Sequence, residues 1–296
     1  MNERPKITQE MIRLYDEYTH LTLDRRGFME KLSKVAGSTA AAAAIVPLLS
    51  ANKASAAIVA EDDPRLTTSR ASFPGADGVT MSGLLAHTKE ATGDLPAVLV
   101  IHENRGLNPH IEDVTRRIAL EGFLALGVDF LSPGGGTPEN EDTAREMIGK
   151  LDPAKTVTNA VAAVTYLKGH ELSNGRVGAI GFCWGGGLVN RLAAAAPDLS
   201  AGVAYYGMQV PAEEAARIKA KLLLHYAGLD ERINAGIPAY EEALKAAGVD
   251  YTVYVYEGAN HAFNNDASAA RYNKEAADLA WSRTVTFLRE ALGTPT

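Results

Sequence analysis

Hydrophobic and polar positions change period along this chain, so that strands alternate with helices. Pro96-Ala97-Val98-Leu99-Val100-Ile101-His102 is an unbroken apolar run, the pattern of a strand buried on both faces of a parallel sheet. Ile111 to Glu121 then spaces its apolar residues three and four apart, with Asn108 placed to cap a helix and Pro109 in its first turn. The succession repeats, with strands over 123–128, 176–181, 200–206, 222–226 and 251–256. Helices are expected over 139–150, 154–169, 188–196, 213–218, 237–247 and 269–292. Ahead of them, 69–74 and 81–87, split by Ala76-Asp77-Gly78, read as an antiparallel hairpin at a sheet edge. Such alternation predicts an α/β fold, a mostly parallel sheet with helices on both faces. No internal repeat occurs, and no linker inside 65–292 is long enough to divide it.

The beginning of the chain follows another pattern. Asp24-Arg25-Arg26-Gly27-Phe28-Met29-Glu30-Lys31-Leu32 leads, after Lys34, into an uncharged run from Val35 to Asn52, then Lys53 and Ala54-Ser55-Ala56. An arginine pair, a weakly apolar run and a small-x-small site together resemble a twin-arginine export signal. That resemblance implies a cleaved leader over 1–56, the twin-arginine machinery as a partner, and a periplasmic or exported single domain over 57–296. Two alternatives stand beside it. Met11 to Leu23 also has helical spacing, which suits a retained N-terminal segment on a cytoplasmic protein. The uncharged run nears the ~20 residues of a membrane span, but Gly37, Ser38, Thr39 and Pro47 make it a poor lipid helix.

Composition narrows the function classes. The 296 residues are 46% hydrophobic and 22% charged, an ordinary globular balance. Lys+Arg 29 against Asp+Glu 36 gives a net charge of −7. Removing 1–56 takes away 8 basic and 6 acidic residues and leaves 21 against 30, a net charge of −9. That balance argues against nucleic acid or anionic membranes as general partners. One cysteine excludes a disulfide framework and Cys-rich zinc or iron–sulfur sites within the chain. Without H-x-H, H-E-x-x-H, G-x-G-x-x-G or Walker A spacing, neither a metal nor a nucleotide cofactor is expected.

The single cysteine has a specific context. Gly181-Phe182-Cys183-Trp184-Gly185-Gly186-Gly187 stands between a strand and a helix and fits G-x-nucleophile-x-G, with cysteine where serine is usual. Glycines belong there because the strained turn leaves no room for side chains two residues to either side. The turn also sets Cys183 at a helix N-terminus, where the dipole favours a thiolate. The alternative is a buried structural cysteine.

A nucleophile needs a base and the base an orienter, in the chain order nucleophile, acid, histidine. Asp230 ends Leu222-Leu223-Leu224-His225-Tyr226-Ala227-Gly228-Leu229-Asp230, and His261 lies in Tyr256-Glu257-Gly258-Ala259-Asn260-His261-Ala262-Phe263. Both follow strands, where open α/β sheets place their sites. They stand 47 and 78 residues after Cys183. A loop-capping aspartate and a surface histidine are the bland alternatives; order and placement favour a triad. Of the other histidines, His225 reads as core, His20 falls in the leader, and His87, His110 and His170 read as surface groups. The loop His102-Glu103-Asn104-Arg105-Gly106-Leu107 should supply the Asn104 N–H to an oxyanion hole, beside the N–H of Trp184. Glu103 could accept the Cys183 proton or pair with Arg105 or Arg116, and the residues alone leave both open.

Ile101-His102-Glu103-Asn104-Arg105-Gly106-Leu107-Asn108, the cysteine elbow with its following Trp184, and Gly258-Ala259-Asn260-His261-Ala262-Phe263 resemble the dienelactone hydrolase (carboxymethylenebutenolidase) family of α/β-hydrolases. The resemblance runs from about Thr68 to Leu292. It implies an α/β-hydrolase fold, Cys183 as nucleophile, His261 as base and acid, and Asp230 as orienter. It further implies that Glu103 partners the resting thiol until substrate displaces it. The expected activity is hydrolysis of a small ester or lactone through an acyl-enzyme, with no cofactor. Family members acting on dienelactones hold the substrate carboxylate with arginines, one just beyond the catalytic histidine, where this chain has Asn264-Asn265-Asp266. Arg105 and Arg271 are the candidates to replace it, and Tyr206 is a candidate pocket wall. A general short-chain ester or thioester hydrolase is the second reading, and a non-catalytic exported binding protein the third. The sequence leaves the oligomeric state open.

Overall fold

The computed structural model describes residues 6–20, 22–50 and 57–293. Its centre is an eight-stranded sheet: β1 (Leu66–Pro74), β2 (Thr80–Thr88), β3 (Leu95–Ile101), β4 (Leu124–Asp129), β5 (Ser173–Phe182), β6 (Ala201–Tyr205), β7 (Lys221–Ala227) and β8 (Tyr251–Tyr256). The spatial order is β1-β2-β4-β3-β5-β6-β7-β8. β2 pairs antiparallel with both β1 and β4, and the other pairs are parallel. The unbroken apolar run of β3 has its cause in this order. All seven of its residues are buried, with Leu99 and Ile101 in the core on one face and Val98 and Val100 in the core on the other.

The helices are α1 (Gln9–Thr19), α2 (Arg25–Ala36), α3 (Thr39–Leu49), α4 (Pro109–Leu120), α5 (Glu141–Gly149), α6 (Pro153–Lys168), α7 (Trp184–Ala195), α8 (Ala212–Ala215), α9 (Glu231–Asn234), α10 (Ile237–Ala246) and α11 (Lys274–Leu292). The apolar stripes of α6, α7 and α10 cover one face of the sheet and those of α4 and α11 the other. Asn108 caps α4 as its position predicts, its side chain accepting from the Ile111 N–H (3.1 Å). The last helix starts five residues later than periodicity indicates. Asn273 caps it by accepting from Ala276 N–H, and the residues before it stay in turns beside the site.

The N-terminal segment folds as three helices capped by the side chains of Thr8, Asp24 and Ser38. They enclose a small core of their own that includes Leu14, Tyr15, Tyr18, Phe28, Leu32 and Leu49. Arg25 and Arg26 open α2. Among the described residues no single helix is long and apolar enough to cross a membrane; α2 and α3 meet at 109°. Ala54-Ser55-Ala56 lies outside the described residues.

This helical unit is docked on the rest of the chain through the end of α1. The last carbonyls of a helix have no donor of their own. Here Tyr18 O accepts from Arg145 Nη1 (2.9 Å) and Thr19 O from Asn104 Nδ2 (2.6 Å). The Arg145 guanidinium also lies 3.9 Å from the centre of the Tyr18 ring. A cation at a helix C-terminus is favoured by the dipole as well.

Candidate active site

β5 runs directly into the turn that carries Cys183. Cys183 has φ +57° and ψ −114°, caps α7, and donates its N–H to Tyr205 O (3.0 Å). Positive φ at a non-glycine residue is a strained conformation that the surroundings must enforce. They do so by close approach. A Cβ on Gly181 would stand 2.2 Å from Gly185 O, and one on Gly185 would stand 2.5 Å from both Ile101 O and His102 O. The glycines therefore let α7 pass against the end of β3. The Trp184 N–H, in the first turn of α7, has no intrahelical acceptor.

Asp230 and His261 meet on the loops after β7 and β8. His261 Nδ1 donates to Asp230 Oδ2 (2.5 Å), while Asp230 Oδ1 accepts from Ile233 N–H (3.2 Å) and so also caps α9. Capping and orienting, which the sequence presents as alternatives, are done by two oxygens of one carboxylate. His261 is buried and its Nε2 has no hydrogen-bond partner among the described residues. Burial pushes the His261 imidazole down, but the charges of Asp16, Asp230 and Cys183 raise it well above the usual range. Burial raises Asp230, and its contact with His261 outweighs that and lowers it.

A residue from outside the expected set stands at the sulfur. Cys183 Sγ lies 3.3 Å from Nε2 of His20, which the sequence places only in the leader. The His20 and His261 rings meet edge to face at 4.6 Å. Burial pushes the Cys183 thiol up, yet the imidazoles of His20 and His261 prevail and bring it down to about 6. The thiolate is the reactive form of a cysteine, so the reactivity of this sulfur is present above that value and lost as pH falls through it. We expect kcat/KM on a neutral ester to show an acid limb with its inflection near pH 6. An inflection near the ~8.5 of a free thiol would contradict it.

The remaining expected residues are placed as follows. Glu103 is buried and its Oε2 accepts from Asn265 Nδ2 (2.7 Å), so in this structure the thiol's recorded partner is His20 rather than Glu103. Neither salt bridge weighed for Glu103 forms. Arg105 is buried near Glu141 (4.0 Å) and Asp142 (3.9 Å), and Arg116 Nε donates to Val59 O (2.9 Å). Asn104 begins the wall beside the sulfur, its side chain tied to Thr19. Arg271 Nε donates to Ser268 Oγ (3.1 Å), and its guanidinium is 5.2 Å from the Tyr15 ring. Arg105 and Arg271 share with Cys183 and Glu103 a cavity of only about 20 Å³.

The larger cavity at Cys183 holds about 280 Å³ and is lined by His261, His20, Trp184 and Tyr206. Tyr206 has φ +40°, its ring is 4.9 Å from that of His261, and its buried hydroxyl has no partner among the described residues. Three arginines that sequence reasoning missed, Arg145, Arg191 and Arg232, also line this cavity. Their residue type was visible, but nothing local in the sequence marks them as converging. His225 is a satisfied core residue, between Thr284 Oγ1 (3.1 Å) and Tyr256 OH (2.9 Å). His110 is not a surface group: its side chain is buried 3.0 Å from Asp266. As to metals, His20, Cys183 and His261 each offer a donor atom within 4.8 Å of the others, as do Asp16, Asp230 and His261.

Sheet order, a strained nucleophile turn at the end of β5 and an Asp–His pair after β7 and β8 define an α/β-hydrolase. The dienelactone hydrolase family model matches residues 81–292, and a second model, described as YqhI-like, matches residues 2–37. The chain belongs to the dienelactone hydrolase family, whose members are carboxylic ester hydrolases. A Methylorubrum extorquens protein provisionally named a carboxymethylenebutenolidase is 34% identical over 247 residues, 78% of this chain and 84% of its own length. A Saccharolobus solfataricus protein of the same provisional name is 34% identical over 257 residues, 73% of this chain and 96% of its own length. Among solved structures, a provisionally named dienelactone hydrolase from Klebsiella pneumoniae has TM-score 0.69 and 29% identity. It covers 76% of this chain and 99% of its own.

Proposed function

We propose that the protein hydrolyses a small ester or lactone of the dienelactone type, with Cys183 as nucleophile. One observation carries this reading. Buried His261, oriented by Asp230 at 2.5 Å, keeps an unpartnered Nε2 on the same cavity as Cys183. Cys183 attacks the carbonyl carbon, and the Asn104 and Trp184 N–H groups hold the oxyanion. Water then hydrolyses the thioester with His261 as base. A lactone suits the site because its leaving oxygen stays tethered to the acyl group. The unpartnered Tyr206 hydroxyl is a donor for the bound substrate, and Arg191 and Arg232 favour one that carries a carboxylate. A general short-chain ester or thioester hydrolase is the second reading, and a panel of acids with and without a carboxylate tail separates the two.

The decisive experiment is trapping of the acyl-enzyme. Rapid acid quench with a lactone and ester panel should give an acyl adduct that peptide mapping places on Cys183. Turnover with no such adduct, or an adduct elsewhere, would refute the mechanism.

For location, export through the twin-arginine route rests on Arg25-Arg26 and Ala54-Ser55-Ala56. Docking of α1 through Arg145 and Asn104 favours the retained segment instead. The intact mass of the protein in fractionated cells decides: a periplasmic species beginning at residue 57 supports export, and a full-length cytoplasmic one supports retention.

A further inference from the structure

Cys183 faces two imidazoles, and only one belongs to the hydrolase sheet. The other, His20, follows α1. Its Nδ1 donates to the Asp16 carbonyl (2.8 Å) and lies 3.5 Å from the Asp16 carboxylate, which leaves Nε2 to the sulfur at 3.3 Å. The Asp16 backbone carbonyl thus orients His20 as the Asp230 carboxylate orients His261, while the buried Asp16 Oδ1 has no hydrogen-bond partner among the described residues. The approach is anchored beyond one side chain. Arg145 and Asn104 hold the end of α1, and the Gln9 amide donates to the Asn260 side chain, next to His261. The carboxylate that the family resemblance would give to the thiol is turned to Asn265.

We propose that residues 9–20 are a resident part of the catalytic centre, and that His20, braced by Asp16, receives the Cys183 proton. This rests on the acyl-transfer reading of the same site. The Cys183 S–H bond breaks, its proton passes to His20 Nε2, and the sulfur forms the bond to the acyl carbon. As the C–O bond to the leaving oxygen breaks, that oxygen takes the proton from His20. His261, its Nε2 still free, takes a proton from water as the water oxygen attacks the thioester. That proton returns to the sulfur as the C–S bond breaks. One imidazole therefore serves each half of the cycle. Of the charges that lower the thiol, His20 contributes most. The titratable and charged groups around the sulfur are His20, Asp16 and Tyr15 from the N-terminal segment, Glu103 and Arg105 after β3, Glu141 and Arg145 of α5, Arg191 of α7, Tyr206 after β6, Asp230 and Arg232 after β7, and His261 and Arg271 after β8.

The test uses the full chain and a readout that needs no acyl transfer, the rate of Cys183 alkylation by iodoacetamide against pH, followed by intact mass. Wild type should rise through an inflection near pH 6. His20→Ala should move it up by at least about one pH unit and slow alkylation at about pH 6.5 by at least about threefold, with partial rescue by added imidazole. His20→Gln, which keeps a polar side chain at the end of α1, should show the same shift and stands in if the alanine variant does not fold. Superposition of either variant's profile on that of wild type would overturn the proposal. So would an inflection that moves in Glu103→Gln and not in the His20 variants, since the proton would then belong to Glu103. The two readings fail separately. An absent acyl-Cys183 with a shifted His20 profile removes the acyl-transfer mechanism, and acyl-Cys183 forming with an unshifted profile removes only the role of His20.

Discussion

Cys183→Ala is expected to lower kcat/KM on small lactones and activated esters by about 10⁴-fold or more while the fold stays intact. Alanine keeps the Cβ and the backbone position at the start of α7, so the turn remains as strained as before. What disappears is the one atom that can form the acyl bond. Asp230–His261 survives, yet with no sulfur to attack the carbonyl it has only water to activate. Residual activity then reflects binding and the oxyanion donors alone, and members of a triad are strongly non-additive for the same reason. Steady-state kinetics beside a thermal melt make the check. A melting temperature within a few degrees of wild type with activity preserved would remove Cys183 from the mechanism.

Gly185→Ala should cost about 3 kcal/mol or more of stability, or prevent soluble expression. Its added Cβ would meet two backbone oxygens, of Ile101 and His102, at 2.5 Å. No flexible side chain can move to make room. Relief requires α7 to back away from β3, which opens the core containing Leu188, Val189 and Leu192. Urea unfolding is the measurement. A loss below about 1 kcal/mol would mean that helix and strand do not approach as closely as described.

Much of the architecture was written locally. β3 could be read because both its faces are covered, which makes its whole length apolar. α4 could be read at its start because Asn108 and Pro109 sit side by side. Cys183 declared itself through neighbouring glycines that answer one steric demand. Asp230 and His261 followed from a rule about strand ends and needed no knowledge of each other's position. His20 obeys no such rule. It meets a sulfur 163 residues away, and its own surroundings carry the arginine pair and alanine run that point toward export. Periodicity of 11–23 announced a helix, but it could not say what the end of that helix would touch. Glu103 was misleading for a related reason. Its partner Asn265 lies 162 residues on, in a stretch the sequence showed only as lacking an arginine. Separation along the chain likewise hid His110 against Asp266 and the convergence of Arg145, Arg191 and Arg232 on one cavity. Patterns of period two or 3.6 encode which face is buried; they do not encode which remote polar group waits there.

The N-terminal helices have a core to themselves, and among its described members only Ala270 comes from the hydrolase part of the chain. The rest of their grip is largely polar. An apolar core of its own, joined to the cores of the sheet mainly by hydrogen bonds, suits the N-terminal part to behave as a separate cooperative unit. On that ground the smaller unit is expected to open at a lower cost than melting the sheet, with the eight strands still paired. On the role proposed for His20, such an opening would take its imidazole from the sulfur and leave the sheet intact, so that catalytic competence and native secondary structure would be separate properties of one polypeptide.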